Sequence, residues 1–387
     1  MALCSWGSRL RPPEPELGPM RAIYFVERFW PHIGGVEVLS AHLLPALAAR
    51  GIELTVITSR DGDTLPEREI VNGIDVWRFR MIDALRDRDL DAIVDIRSRI
   101  TTLRRELQPD LTHMVFTGAT TYFALTTLEA DPTPTILSIH GSWPWVPDDP
   151  HSVLQRAIRA SSWITSCSVS ALDDLCQVEP DVRERSSVIL NGRDPASPPI
   201  PLVLEPPVVL CAARLTAEKG IDLAVDAIAV VRTRFPGVRL RLVGDGPVRA
   251  QIEPTLRARG LAETVEFVGW CSPADVATHI DAASIVLVPS RTEGFGLIAL
   301  EAMLRARPVV ATAVGGLPEV LGHDGGVLVE PESAAAIAEG IVTLLDRPEL
   351  ARSVALAGHR RALDEFPLAR CVDAHEALYH QLVSAHA

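Results

Sequence analysis

From residue 21 onward, short apolar runs alternate with stretches in which apolar residues return every third or fourth position. Arg21 to Val26, Glu53 to Thr58, Asp110 to Val115, Pro134 to Ile139, Ile164 to Val169 and Ser187 to Leu190 have the length and composition of strands. Between the first two, Val36, Leu39, Leu43 and Leu47 would line one helical face, and Pro45 is expected to kink that helix. This alternation predicts a parallel sheet joined by helical crossovers. A second series follows at Val208 to Ala212, Val238 to Val243, Val265 to Val268, Ser284 to Val288, Pro308 to Ala311 and Val327 to Val329. The expected fold class is therefore α/β, with two doubly wound, Rossmann-like domains of similar size.

Proline places the boundary. Residues 194 to 207, DPASPPIPLVLEPP, carry six prolines in fourteen positions, which removes backbone donors and favours extended chain. The predicted organisation is an N-terminal domain at 20–193, a linker at 194–207 and a C-terminal domain from 208. Residues 1–19 contain four prolines and no apolar run of signal-peptide length, so they read as a disordered tail, with Met20 as an alternative start. In open parallel sheets ligands bind beyond the carboxyl ends of the strands, so two facing domains would hold theirs in the cleft between them.

Composition narrows the partners. With 37 basic and 50 acidic residues among 387 the formal charge is -13, which disfavours nucleic acid and anionic membranes as general partners. The longest apolar runs fall far short of the roughly 20 residues of a membrane helix. Six scattered cysteines (Cys4, Cys167, Cys176, Cys211, Cys271 and Cys371) form no CxxC pair, consistent with free thiols in a reducing cytoplasm and with no zinc site.

Four segments carry chemistry. Gly34-Gly35 opens the first helix, where glycines admit a ligand close to the backbone and open amides favour an anion. Arg214 and Lys219, in ARLTAEKGID, place two cations past the first strand of the second domain, suited to a phosphate pair. Gly244-Asp245-Gly246 follows the next strand, but no third glycine completes a dinucleotide fingerprint. The richest stretch, PSRTEGFGLIALEAM from Pro289, runs from a strand end through Gly294 and Gly296 into a helix. Glu293 enters on the turn and Glu301 stands two helical turns on. Carboxylates accept hydrogen bonds from hydroxyls, so this mixture suits a polyhydroxy ligand carrying a diphosphate. The DxD strings Asp87-Arg88-Asp89 and Asp89-Leu90-Asp91 read as the acidic start of a surface helix rather than as metal ligands.

From about Arg21 to the C-terminus the chain resembles the retaining GT-B glycosyltransferases of glycosyltransferase family 4. The likeness rests on PHIGGVE, SIHG, VILNGRD, ARLTAEKGID, RLVGDGP, VEFVGW and EGFGLIALEAM in the family's order, the last matching its Glu-x7-Glu signature. The resemblance implies that Arg214 and Lys219 hold the donor diphosphate. Glu293 and the amides of Gly294, Phe295, Gly296 and Leu297 would take the sugar and distal phosphate, and Glu301 the ribose hydroxyls. It further implies that His140 reaches the donor sugar, that Gly35 approaches the diphosphate, and that Gly244 and the loop with Val268 border the donor, with Trp270 a candidate to stack on the base. Asn191-Gly192 would shape the hinge side, and residues 366–387, with Phe366-Pro367 as a bend, would return as a helix to the N-terminal domain, ending the second domain at 365.

Implied activity is metal-independent, cofactor-free transfer of a hexose or N-acetylhexosamine from a nucleotide sugar, with Arg214, Lys219, Glu293 and His140 as the catalytic set. In the segment from His140 to Pro150, Trp143 and Trp145 offer flat faces to a sugar-like ring, and Asp148 and Asp149 offer charge to an amine. The chain is also similar to the glycosyltransferases of aminoglycoside antibiotic assembly, which implies a UDP-sugar donor, with glucose or N-acetylglucosamine favoured, and the aminocyclitol 2-deoxystreptamine as acceptor. Alternatives are a lipid or polysaccharide acceptor, including GDP-mannose donors, and a nucleotide-sugar-binding protein without turnover. A nucleotide-sugar epimerase is the runner-up in chemistry. A phosphorylase using pyridoxal phosphate would need a lysine of its own, and Lys219 is the only lysine.

Overall fold

The computed structural model describes residues 19–62, 64–115, 118–129, 132–141 and 149–386. The first sheet is built from β1 (Arg21–Val26), β2 (Glu53–Ser59), β3 (Arg68–Val71), β4 (Ile74–Phe79), β5 (Leu111–Val115), β6 (Thr135–Ile139), β7 (Trp163–Ser166) and β8 (Ser186–Val188), in the order β3-β4-β2-β1-β5-β6-β7-β8. All pairs are parallel except β3 with β4. The second sheet comprises β9 (Val208–Ala212), β10 (Arg239–Val243), β11 (Val265–Gly269), β12 (Ile285–Val288), β13 (Val309–Thr312) and β14 (Val327–Val329), ordered β11-β10-β9-β12-β13-β14 and parallel throughout. Two doubly wound, Rossmann-like α/β domains are thus observed.

The β3–β4 hairpin is absent from the expected strands. β3, at the sheet's edge, alternates exposed and half-buried positions, and β4 begins by alternating buried and half-buried ones, so they lack the continuous apolar run that marked the others. Its turn residues Asn72 and Gly73 have φ of 50° and 82°, the paired left-handed geometry of a two-residue hairpin. The helix Gly35–Ala48 runs on through Pro45. Asp89 accepts a hydrogen bond from Ala92 N at 3.0 Å as the N-cap of the helix Leu90–Leu107, while Asp87 pairs with Arg86 at 2.9 Å, so both acids have structural partners.

The chain returns to the first domain at its end. Phe366 and Pro367 separate the helix Pro348–Glu365 from the helix Leu368–His386. Cys371, Val372, Leu378, Tyr379 and Leu382 of that last helix are buried in one core with Ala22, Tyr24, Leu43, Leu44 and Leu47. Arg50 anchors the helix from outside, pairing with Glu376 and, at 2.5 Å, with Asp373. No helix among the described residues is long and apolar enough to cross a membrane.

A polar network lies within this core. His113 on β5 bonds Tyr379 Oη through Nδ1 and Ser138 Oγ through Nε2, each at 2.6 Å, and Ser138 Oγ contacts Thr165 Oγ1 at 2.6 Å. The rings of His113 and His375 stack at 5.9 Å, and His375 Nδ1 lies 2.8 Å from the Cys371 carbonyl. Burial holds the pKa of His113 well below the usual imidazole value and lowers that of His375, so folding favours the neutral form of both rings.

Two outcomes follow for stability. Tyr379→Phe strips a partner from buried His113 and should cost about 1–3 kcal/mol in urea unfolding, with little change in the denaturant slope. The histidine pKa values are lowered on folding, so below about pH 6.5 the unfolded chain binds more protons than the native one. Stability should therefore be fully present above that pH and fall steadily toward pH 4 in a pH series of urea titrations. His113→Gln should flatten part of that fall.

Candidate active site

The segment linking β12 to the helix Leu297–Leu304 forms the floor. Gly296 is that helix's N-cap with φ of 98°, a left-handed conformation that spares the turn a Cβ clash, and no side chain caps the helix. The first intrahelical bond runs from Ala299 N to Gly296 O at 2.9 Å, which leaves the amides of Leu297 and Ile298 at the open, electropositive end. The helix Gly35–Ala48 likewise begins behind a glycine N-cap, Gly34, with no side-chain cap. A Cβ on Gly35 would lie 3.4 Å from Leu297 Cδ1, so the two helix starts, one from each domain, meet across the cleft. Such paired N-termini favour an anion.

Gly294 closes the same gap from the second domain. A Cβ there would fall 2.3 Å from the carbonyl oxygen of His140, closer than any side chain tolerates. His140, directly after β6, is thereby brought onto the turn. Its Nδ1 is buried and has no hydrogen-bond partner among the described residues. Burial, aided by the neighbouring His375, pushes its pKa down to about 4, so the ring is a neutral donor and acceptor at neutral pH. Phe295, buried between the two glycines, meets Phe366 edge-on at 5.7 Å and ties the turn to the returning chain.

Glu293 and Lys219 are brought together. Lys219 Nζ lies 2.8 Å from Glu293 Oε2, which also accepts from Ser290 Oγ at 3.2 Å, and both side chains are mostly buried. Arg214 follows β9 with its side chain exposed, and its carbonyl accepts from Thr216 N at 2.9 Å. Gly244 follows β10 and donates its N–H to Gly269 O at 2.8 Å, which sets the loops after β9, β10 and β11 side by side, with Val268 half-buried and Trp270 65% exposed. Glu301 is mostly buried on the Leu297–Leu304 helix, where loss of water raises its carboxyl pKa while Arg193 and Arg305 oppose the rise.

Trp143, Trp145 and Asp148 lie outside the described residues. Asp149 is exposed and accepts the His151 amide at 2.9 Å.

Several participants escaped sequence reasoning. Arg193 NH1 contacts Glu301 Oε1 at 2.6 Å, bridging the end of the first domain and the second domain. Glu319 spans the cleft, its two carboxylate oxygens accepting the amides of Val169 and Ser170 at 2.8 Å each, at the start of the helix Val169–Val178. Gly316 N donates to Glu293 O at 3.1 Å and fixes the backbone of that glutamate. The Gly315-Gly316 pair repeats the Gly-Gly signal of the first domain and could have flagged the last two.

The chain matches two families that divide it between them: Glycosyltransferase Family 4 over residues 33–197 and Glycosyl transferases group 1 over residues 193–361. The α-D-kanosaminyltransferase of Streptomyces kanamyceticus is 35% identical over 151 residues, which are 38% of this chain and 39% of that protein. The glycogen synthase of Mycobacterium tuberculosis is 27% identical over 369 residues, spanning 86% of this chain and 88% of the synthase. Among solved structures, sucrose-phosphate synthase from Thermosynechococcus elongatus superposes with a TM-score of 0.79 at 21% identity, covering 95% of this chain and all of that one. Anabaena HepE, solved with UDP and glucose, gives 0.77 at 21% identity, covering 94% of this chain and all of that one. This protein is a GT-B glycosyltransferase.

In this glycosyltransferase the sole lysine gives the site a direct probe. An amine-selective reagent should modify one side chain, Lys219, and the chain's α-amine. Added UDP or GDP should slow the Lys219 reaction severalfold and leave the α-amine rate unchanged, as read by peptide mass spectrometry. Equal labelling with and without nucleotide would remove Lys219 from the donor site.

Proposed function

We propose that this GT-B glycosyltransferase moves glucose or N-acetylglucosamine from a UDP-sugar to a hydroxyl of 2-deoxystreptamine, with retention at the anomeric carbon and without a metal ion. The observation that carries the reading is the Lys219–Glu293 pair beside two glycine-opened helix starts, a cation and oriented amides converging on one cleft. A diphosphate there would draw on Lys219, Arg214 and the amides of Gly294 to Leu297, which supply in preorganised form the positive charge that a leaving nucleoside diphosphate requires. Glu293 and neutral His140 would hold sugar hydroxyls, and Glu301 the ribose. In the step itself the anomeric carbon–phosphate oxygen bond breaks and the acceptor oxygen bonds to that carbon on the same face. The acceptor proton passes to the departing phosphate oxygen.

Similarity to the kanosaminyltransferase supports an aminocyclitol acceptor, and the chain's charge of -13 would draw a dication by long-range attraction. A reducing cytoplasm suits the five described cysteines, all free thiols. The second reading, a polysaccharide acceptor, is supported by the longer alignment with glycogen synthase.

The decisive measurement is transfer from UDP-glucose, UDP-N-acetylglucosamine and GDP-mannose to 2-deoxystreptamine, myo-inositol, a maltooligosaccharide and a polyprenyl-linked sugar. Activity on neutral or lipid acceptors with none on the diamine would overturn the proposal. Glu293→Ala should lower kcat, because sugar contacts can tighten as the bond breaks. Lys219→Ala should lower kcat/KM about a hundredfold or more. Near-normal kinetics for Lys219→Ala would remove the diphosphate assignment.

A further inference from the structure

Arg193 belongs to none of the donor-side segments, yet it is the residue that occupies Glu301. It sits where the chain passes from the first domain to the second. Its N–H donates to Phe366 O at 2.9 Å, and Asp194 Oδ1 accepts from Leu368 N at 3.1 Å, so the outgoing and returning segments are tied side by side. From this knot the guanidinium reaches the Leu297–Leu304 helix and holds Glu301 Oε1 at 2.6 Å, with both side chains about four-fifths buried.

We propose that Arg193 is the positioning residue of the ribose subsite, fixing the Glu301 carboxylate so that its remaining lone pairs meet two vicinal hydroxyls. The proposal rests on the assignment of Glu301 to the ribose. A carboxylate has about four acceptor sites. One taken by Arg193 still leaves enough for a cis-diol, but only if the group cannot rotate. Burial makes Glu301 harder to ionise, and two arginines oppose this. Arg305 is engaged with Asp281 at 2.6 Å, so Arg193 is the cation bonded to Glu301 itself. His42, on the helix Gly35–Ala48, stands close enough to this pair for Arg193 to add to the lowering of its pKa by burial, with Asp194 opposing.

The test compares binding of UDP, GDP and their 2′-deoxy analogues by calorimetry to wild type, R193M, R193Q, R193K and E301Q between pH 6 and pH 8. Melting temperatures check folding, and R193Q is read by the same criterion should R193M not fold. Wild type should prefer the ribonucleotide. R193M should cut that preference about tenfold and raise the donor KM with little change in kcat. Its defect should deepen toward pH 6, since the carboxyl without its cation protonates more easily, whereas R193K should suppress this pH dependence. Loss of the preference in E301Q but not in R193M or R193Q would overturn the positioning role alone. Retention of the preference in E301Q would overturn the ribose assignment, and the proposal with it, as would a wild type that binds none of the nucleotides.

Discussion

A methyl group at residue 294 would stand 2.3 Å from the His140 carbonyl, and the rest of the site is arranged around that forbidden space. Backbone touches backbone there, so the end of β6 and the turn after β12 share one position. That contact brings a histidine from one domain to the glutamate of the other, and it sets the helix start at Gly35 against Leu297. Oriented amides have no side-chain freedom to lose, and they act at full strength only where water is thin. The tight interdomain contact provides that condition.

Around this contact the charges come in matched pairs. Lys219 holds Glu293, Arg193 holds Glu301, and Glu319 holds the amides of Val169 and Ser170. The first two pairs link groups to which ligand contacts are assigned, so a bound donor must share or displace existing partners rather than meet bare charges. Mostly buried ions left single would cost more than they return, which gives the pairing a physical reason apart from catalysis. Glu319 differs in kind. It satisfies helix-start donors that would otherwise stand open, and it does so only while the domains are together.

Much of the fold was legible because parallel strands buried on both faces announce themselves as apolar runs. The β3–β4 hairpin was missed because its edge strands alternate, although Asn72-Gly73 carried the turn signal. Glu293, Lys219, His140 and the glycines could be found because each stands at a strand end or helix start within a local motif. Arg193 and Glu319 could not. Their partners lie 108 and about 150 residues away, and a lone charged residue carries no mark of a long-range bond. The His113–Tyr379 bond, spanning 266 residues, was hidden for the same reason.

The docking of the final helix has a consequence for synthesis. Domains generally fold as units while the chain emerges, the N-terminal one first. Here Cys371, Val372, Leu378, Tyr379 and Leu382 complete a core whose other walls are Tyr24, Leu43 and Leu47, so the domain that leaves the ribosome first must wait for residues translated after the whole of the second domain. Until then His113 lacks its tyrosine and an apolar face stays open to the solvent or to a chaperone. A premature stop near residue 370 would therefore spare the second domain, which is made later, and cripple the first.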